Sequence, residues 1–159
     1  MDADVQIGPA TREQLIEVGR LRWDWAQQTG GGALLDREEF AALLAVWADE
    51  HSASHQCFAA TRGDRVIGMA WLAIAPRVPS PRSFDRANGD LQCVYVIPSE
   101  RDAGVGGRLI RAALARAAEA GVERVTVHSS ERAVSAYRRQ GFEQDERLLN
   151  LTPAEPRRG

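Results

Sequence analysis

Residues 94–110 read VYVIPSERDAGVGGRLI. Val94, Tyr95 and Val96 sit in a β-rich run over 91–97 that Pro98 closes. Gly104, Gly106 and Gly107 then interrupt the chain. Beyond them Val105, Leu109, Ile110, Ala113, Leu114 and Ala117 form one apolar stripe, with Arg108, Arg111, Arg116 and Glu119 on the other side, so a helix follows and Gly121 ends it. Strand, glycine turn and helix in that order make an anion-binding arrangement, because free N–H groups and the positive helix end converge there. The same turn equally eases strand–helix packing, so it sets the local fold and leaves the ligand open. Two common phosphate motifs are excluded. The pattern G-x-G-x-x-G fails because Leu109 stands where the third glycine belongs, and the Walker A motif needs a lysine that the chain lacks.

Working outward, residues 5–7 predict a short first strand, and Thr11 with Gln14 has the spacing of a capping box for a helix over 12–27. Gly30, Gly31 and Gly32 break the chain. Asp36 with Glu39 repeats the capping signal, and Phe40, Leu43, Leu44 and Trp47 recur at helical spacing to about residue 50. Strands over 57–61 and 66–75 flank the turn 62–65 as a hairpin. Residues 76–89 hold three prolines and three arginines and predict the longest loop. On the other side of the glycine turn, 122–127 reads as a strand, 131–140 as a short helix closed by Gly141, and 142–151 as a last strand or hairpin. The order predicts a mixed α/β sandwich with one parallel βαβ crossover.

The 159 residues suit one domain, expected over 1–152, with a disordered tail over 153–159. Twenty basic residues, all arginine, face 22 acidic ones, for a net charge of −2. A lysine Schiff base, a lysine-anchored pyridoxal cofactor and the P-loop lysine are thereby excluded. The near-neutral balance argues against nucleic acid as a partner. Cys57 and Cys93 lie far apart in no metal-binding spacing, and both read as buried small hydrophobes. The amino terminus carries no apolar run and no stretch approaches a membrane span, so a cytoplasmic location without membrane association is the expectation. Arginine in place of lysine with abundant alanine fits a GC-rich bacterial genome.

The segment RDAGVG, residues 101–106, resembles the Q/R-x-x-G-x-G/A acetyl-CoA motif of the GNAT (GCN5-related) N-acetyltransferase superfamily. HSSERAVSAYRRQGF, residues 128–142, resembles that superfamily's last block, with Ala133, Tyr137, Gly141 and Phe142 in order. The two lie at the usual separation, and the likeness is weakest before residue 57. It implies a GNAT-type α/β fold: a mixed, mostly antiparallel central sheet, helices on both faces and one parallel βαβ crossover. It also implies acetyl-CoA as cosubstrate, no metal, and frequent homodimerisation, for which the sequence shows no interface signal.

The resemblance assigns roles residue by residue. The strand around Tyr95 splays from its neighbour, and the backbone of Val94 and Val96 pairs with the pantetheine arm as an added strand would. The Val96 N–H polarises the thioester carbonyl. The pyrophosphate rests on the N–H groups of Arg101, Asp102, Ala103, Gly104, Val105 and Gly106, extending to Gly107 and Arg108. Arg101 acts through its backbone or orders the loop through its side chain. Ser130 stands where many relatives carry an asparagine that bonds the pantetheine, and serine still offers one such bond; Ala133 borders the same arm. Tyr137 is the candidate acid for the departing thiolate, a phenol of comparable basicity, although an aromatic beside Ala133 and Val134 also suits a plain core. Asp90, for which a turn position is the alternative, and His128, at a strand end with a suitable intrinsic pKa, are the candidate bases for the amine proton.

Trp23, Trp25, Trp47 and Trp71 offer aromatic surface to an amine acceptor and equally suit a core. Arg77, Arg82 and Arg86 offer an anion-greeting loop and equally suit solvent. The expected activity is acetyl transfer by direct attack of a small-molecule primary amine on the thioester. The alternatives are a protein Nα- or lysine acetyltransferase and a non-catalytic acetyl-CoA sensor.

Overall fold

A computed structural model of the chain describes residues 4–154. Its elements are β1 (Val5–Pro9), α1 (Arg12–Gln28), α2 (Arg37–Glu50), β2 (His55–Arg62), β3 (Arg65–Arg77), β4 (Arg86–Val96), α3 (Val105–Glu119), β5 (Val125–Val127) and α4 (Val134–Arg139). Single 3₁₀ turns at Pro98–Glu100 and Glu131–Ala133 precede α3 and α4. The capping signals act as their chemistry requires. The Gln14 N–H donates to Thr11 Oγ1 and the Thr11 N–H to Gln14 Oε1, at 3.2 and 2.9 Å. Asp36 accepts the Glu39 N–H at 2.8 Å to open α2.

The five strands lie in sequence order; β1 to β4 are antiparallel, and β4 pairs β5 in parallel through the α3 crossover. Neighbouring residues of β3 separate the helices onto opposite faces. Tyr95, the partner of Met69, stacks on Trp25 of α1, and Trp71 meets Trp47 of α2 edge-on. A Cβ at Gly68 would instead lie 3.1 Å from Leu109 of α3. The core between these layers is led by Val18, Ile67, Met69, Leu72 and Leu109. The two helices of one face approach closely because Gly19 leaves room for Ala41. Among the described residues no helix is long and apolar enough to cross a membrane.

The structure corrects the sequence reading in three places. The loop expected over 76–89 is only 78–85, since β3 continues through Arg77 and β4 begins at Arg86. Proline is tolerated there for a geometric reason. The Ile74 N–H points at β2, to Ser54 O, and position 76 points the same way past the end of β2, so the N–H that Pro76 lacks has no partner to lose. The strand expected over 122–127 is confined to Val125–Val127, whose partners on β4 are Gly89, Asp90 and Leu91. Residues 142–151 form no strand: Leu148 donates to Asp145 O in a turn, and Leu149 and Leu151 stay largely exposed. This segment lies across a groove of about 890 Å³ from β5 rather than within hydrogen-bonding distance of it. Of the expected tail, Pro153 and Ala154 are irregular and exposed, and 155–159 lie outside the described residues.

Candidate active site

The register of β4 against β3 steps from Met69↔Tyr95 to Trp71↔Gln92, so Cys93 and Val94 together face Ala70. Such a bulge bends a strand and redirects its side chains. Cys93 carries the strain of it with a φ of 50°. Pairing with β5 covers only Gly89, Asp90 and Leu91 against Val125, Thr126 and Val127. Past that point β4 and residues 128–130 diverge, and a wedge of about 310 Å³ opens between them.

The wedge gathers the candidate acid and both candidate bases, with part of the expected cofactor set. Asp90, Val94, His128, Ser130, Ala133 and Tyr137 all line it. Asp90 stands inside β4 rather than in a turn; its carboxylate accepts from Gln92 Nε2 at 2.7 Å and from Thr126 Oγ1 at 3.3 Å. Tyr137 on α4 is 9% exposed, and its hydroxyl has no hydrogen-bond partner among the described residues. Burial pushes its pKa above the ordinary phenol value, and the nearby Cys93 thiol adds to the shift. His128, just past β5, and Ser130, just before the 3₁₀ turn, are exposed.

Backbone geometry completes the wedge. The Ile97 N–H donates to Ile67 O at 2.9 Å, so alternation along β4 directs the Val96 N–H away from β3 and toward the opening. The Val96 carbonyl accepts from Arg101 Nε at 2.9 Å, while the Arg101 guanidinium lies 5.5 Å from the Tyr95 ring centroid. Arg101 thus engages the strand through its side chain. Tyr95 itself contributes packing: its ring stacks on Trp25 with centroids 4.9 Å apart, and its hydroxyl donates to Gln28 Oε1.

Beyond Val96 the chain turns through Asp102 and Gly104, with φ of 64° and 77°. Gly104 caps α3 without a side chain, and the first intrahelical bond there is Arg108 N–H to Gly104 O at 3.1 Å. The N–H groups of Val105, Gly106 and Gly107 therefore have no acceptor within the helix and point out of its positive end. Arg62 clamps the approach to this turn with two bonds to Glu100, at 3.0 and 2.8 Å, holding the Glu100 carboxyl below its ordinary pKa. The Arg108 side chain is turned aside, to Val5 O.

Several expectations are sorted by these contacts. Arg77 and Arg86 both bond Glu123, so they do not form an anion-greeting loop. Of the four tryptophans only Trp25 lines the wedge; Trp23 donates to Leu35 O, Trp47 stacks on His51, and Trp71 is buried. Cys57 is buried as expected, whereas Cys93 is only half-buried and lines the wedge. Gln92 was missed, although its spacing of two from Asp90 places both on one face of a strand. Nothing in the sequence pattern marks the bulge that exposes Cys93.

The sequence model of the acetyltransferase (GNAT) family matches residues 18–142. The chain belongs to this family. Its GNAT fold is shared with an acetyltransferase of Trypanosoma brucei, 25% identical with a TM-score of 0.72, over 94% of this chain and 100% of that one. A predicted acetyltransferase of Clostridium acetobutylicum solved with acetyl-CoA is 16% identical with a TM-score of 0.73, over 94% and 96% of the two chains. A curated relative, glucosamine 6-phosphate N-acetyltransferase of Trypanosoma brucei brucei, is 34% identical over 87 residues. That match takes in 55% of this GNAT chain and 57% of the relative, so the chain spans little more than half the length of the curated relative.

Proposed function

We propose that the chain is an acetyl-CoA-dependent N-acetyltransferase in which a small-molecule primary amine attacks the thioester directly. The observation that carries this reading is the wedge between β4 and β5, leading past Val96 onto the uncapped N-terminus of α3. The residues present fit the cofactor. Gly104 holds a left-handed turn, and a Cβ at Gly106 would meet only Val96, so the backbone N–H face stays open to a pyrophosphate.

Acetyl-CoA supplies an acetyl group activated as a thioester. The N–H groups of the turn from Arg101 to Arg108 hold the anionic end, and the free edge of β4 at Val94 and Val96 binds the pantetheine amides. Ser130 offers the arm one further hydrogen bond, and Ala133 borders it. With the cosubstrate bound, the Val96 N–H would face the thioester carbonyl and stabilise charge developing on its oxygen. Asp90, acceptor-only and held by Gln92 and Thr126, takes the amine proton directly or through water, with His128 as the other base within the wedge. Tyr137, kept protonated by burial, gives its proton to the departing thiolate.

Trp25, the one tryptophan in the wall of the wedge, offers apolar surface to a small acceptor. The name of the trypanosome relative, an amino sugar phosphate acetyltransferase, supports that class. Purified protein incubated with acetyl-CoA and a panel of amines tests the reading. Thiol release above hydrolysis with a small amine is expected. Tight acetyl-CoA binding without amine-dependent release would replace the enzyme by a sensor.

A further inference from the structure

We infer that Cys93 is a covalent modification site for disulfides of coenzyme A, whose CoA half is held in the wedge while the thiol is captured. The inference rests on the proposed acetyl-CoA site. Cys93 is a free, half-buried thiol lining the wedge. The second observation is Tyr137, a residue only 9% exposed that lines the same cavity and whose hydroxyl has no partner among the described residues. On a side chain otherwise packed away, a hydroxyl that opens unpartnered on the cavity is placed to meet a ligand's polar atom, the sulfur in the reading above. Cys93 and Tyr137 line the same wedge of about 310 Å³. A CoA sulfur seated at Tyr137 therefore has the Cys93 thiol beside it.

The bulge makes the position specific. With its backbone in the left-handed region, Cys93 sits where glycine would be less strained, and its side chain is presented to the opening. Cys57 is a poor competitor. It is buried on β2, and burial pushes its thiol far up, leaving almost no thiolate at neutral pH.

The chemistry is thiol–disulfide exchange with the symmetric disulfide of CoA as co-reactant. Cys93 loses its proton to solvent, its thiolate attacks one disulfide sulfur, the S–S bond breaks, and one CoA thiolate leaves and is protonated. The product is a mixed Cys93–CoA disulfide, with no change in the total number of disulfides. Because the turn at Gly104 and the edge of β4 retain the CoA portion, attack is effectively intramolecular. Glutathione disulfide has no such hold.

Equal concentrations of CoA disulfide and glutathione disulfide, each added to the full chain, test the site by intact mass spectrometry and peptide mapping. One CoA per chain at Cys93 is expected, formed at least about tenfold faster than the glutathione adduct, slowed by excess acetyl-CoA and reversed by dithiothreitol. Cys93→Ser should remove the adduct, and Cys93→Gly, suited to the bulge, serves if the serine variant does not fold. Gly106→Arg keeps the thiol and should bring the CoA rate down to the glutathione rate. Equal rates for the two disulfides, or an adduct on Cys57, overturn the site while calorimetry still shows acetyl-CoA binding. Absence of acetyl-CoA binding in that calorimetry overturns the cofactor reading and the site with it.

Discussion

Arg101 Nε donates to the carbonyl oxygen of Val96 across 2.9 Å, tying the head of the glycine turn to the last residue of β4. The two halves of the proposed cofactor site, strand edge and helix end, are thereby held in one geometry. A hydrogen bond from a charged donor is worth about 1.5 kcal/mol or more, which is about tenfold in affinity. Arg101→Gln should therefore weaken acetyl-CoA binding by about tenfold in calorimetry. An unchanged dissociation constant would show that the turn holds its shape without this bond.

Gly106 offers a graded test of the turn. A Cβ there would stand 3.8 Å from Val96 Cγ2, an ordinary contact, so Gly106→Ala should fold and retain measurable acetyl-CoA affinity. Gly106→Arg fills the face where the N–H groups point and should abolish binding with little change in melting temperature. Retained affinity in the arginine variant would remove the turn from the cofactor site.

How far the site was legible in the sequence follows from which forces are local. The turn at Gly104 and the cap at Thr11 depend on neighbours within a few residues, and both stand as their spacing predicts. The apolar stripe of α3 is likewise local, and it buries Leu109, Ile110 and Ala113 as read. The extent of β3 and β4 was not legible, because Pro76 is permitted only by the end of β2 beside it. The last strand failed for a plainer reason: residues 143–147 are polar without a break, and nothing local drives the segment onto the edge of β5. Cys93 illustrates the deepest limit. Its exposure comes from a register step between two strands, which composition and periodicity do not record.

Tyr137 separates binding from chemistry. Tyr137→Phe keeps the edge-on packing against Phe142, with centroids 5.5 Å apart, and removes only the hydroxyl. Turnover should fall by about a hundredfold to ten-thousandfold with KM for acetyl-CoA nearly unchanged, the loss set by general acid catalysis. Since burial raises the phenol's pKa above its ordinary 10.0, no loss of the acid form is expected in a kcat profile through the neutral range. An equal rate in the variant would leave Tyr137 as packing.

The α1–α2 contact tests the wall that presents Trp25. A Cβ at Gly19 would come within 2.6 Å of Ala41 Cα, a backbone atom that cannot turn aside. Gly19→Ala should force the helices apart and destabilise the protein by about 1–3 kcal/mol in urea unfolding, as overpacking of a fixed contact does. A stability equal to wild type would mean that the two helices are free to separate.

The clamp between Arg62 and Glu100 predicts a pH dependence of stability. The hydrogen bonds from Arg62 are the main cause that lowers the Glu100 pKa below its ordinary 4.5 in the folded state. A carboxyl with a depressed folded pKa contributes stability that is fully present above its unfolded value and is lost as pH falls through the folded one. Wild type should therefore melt higher than Glu100→Gln at neutral pH, the gap should begin to close below 4.5, and the curves should converge further down. Melting temperatures across an acid series check this. A gap that stays constant through the acid range would assign the effect of the substitution to packing of the side chain rather than to its charge.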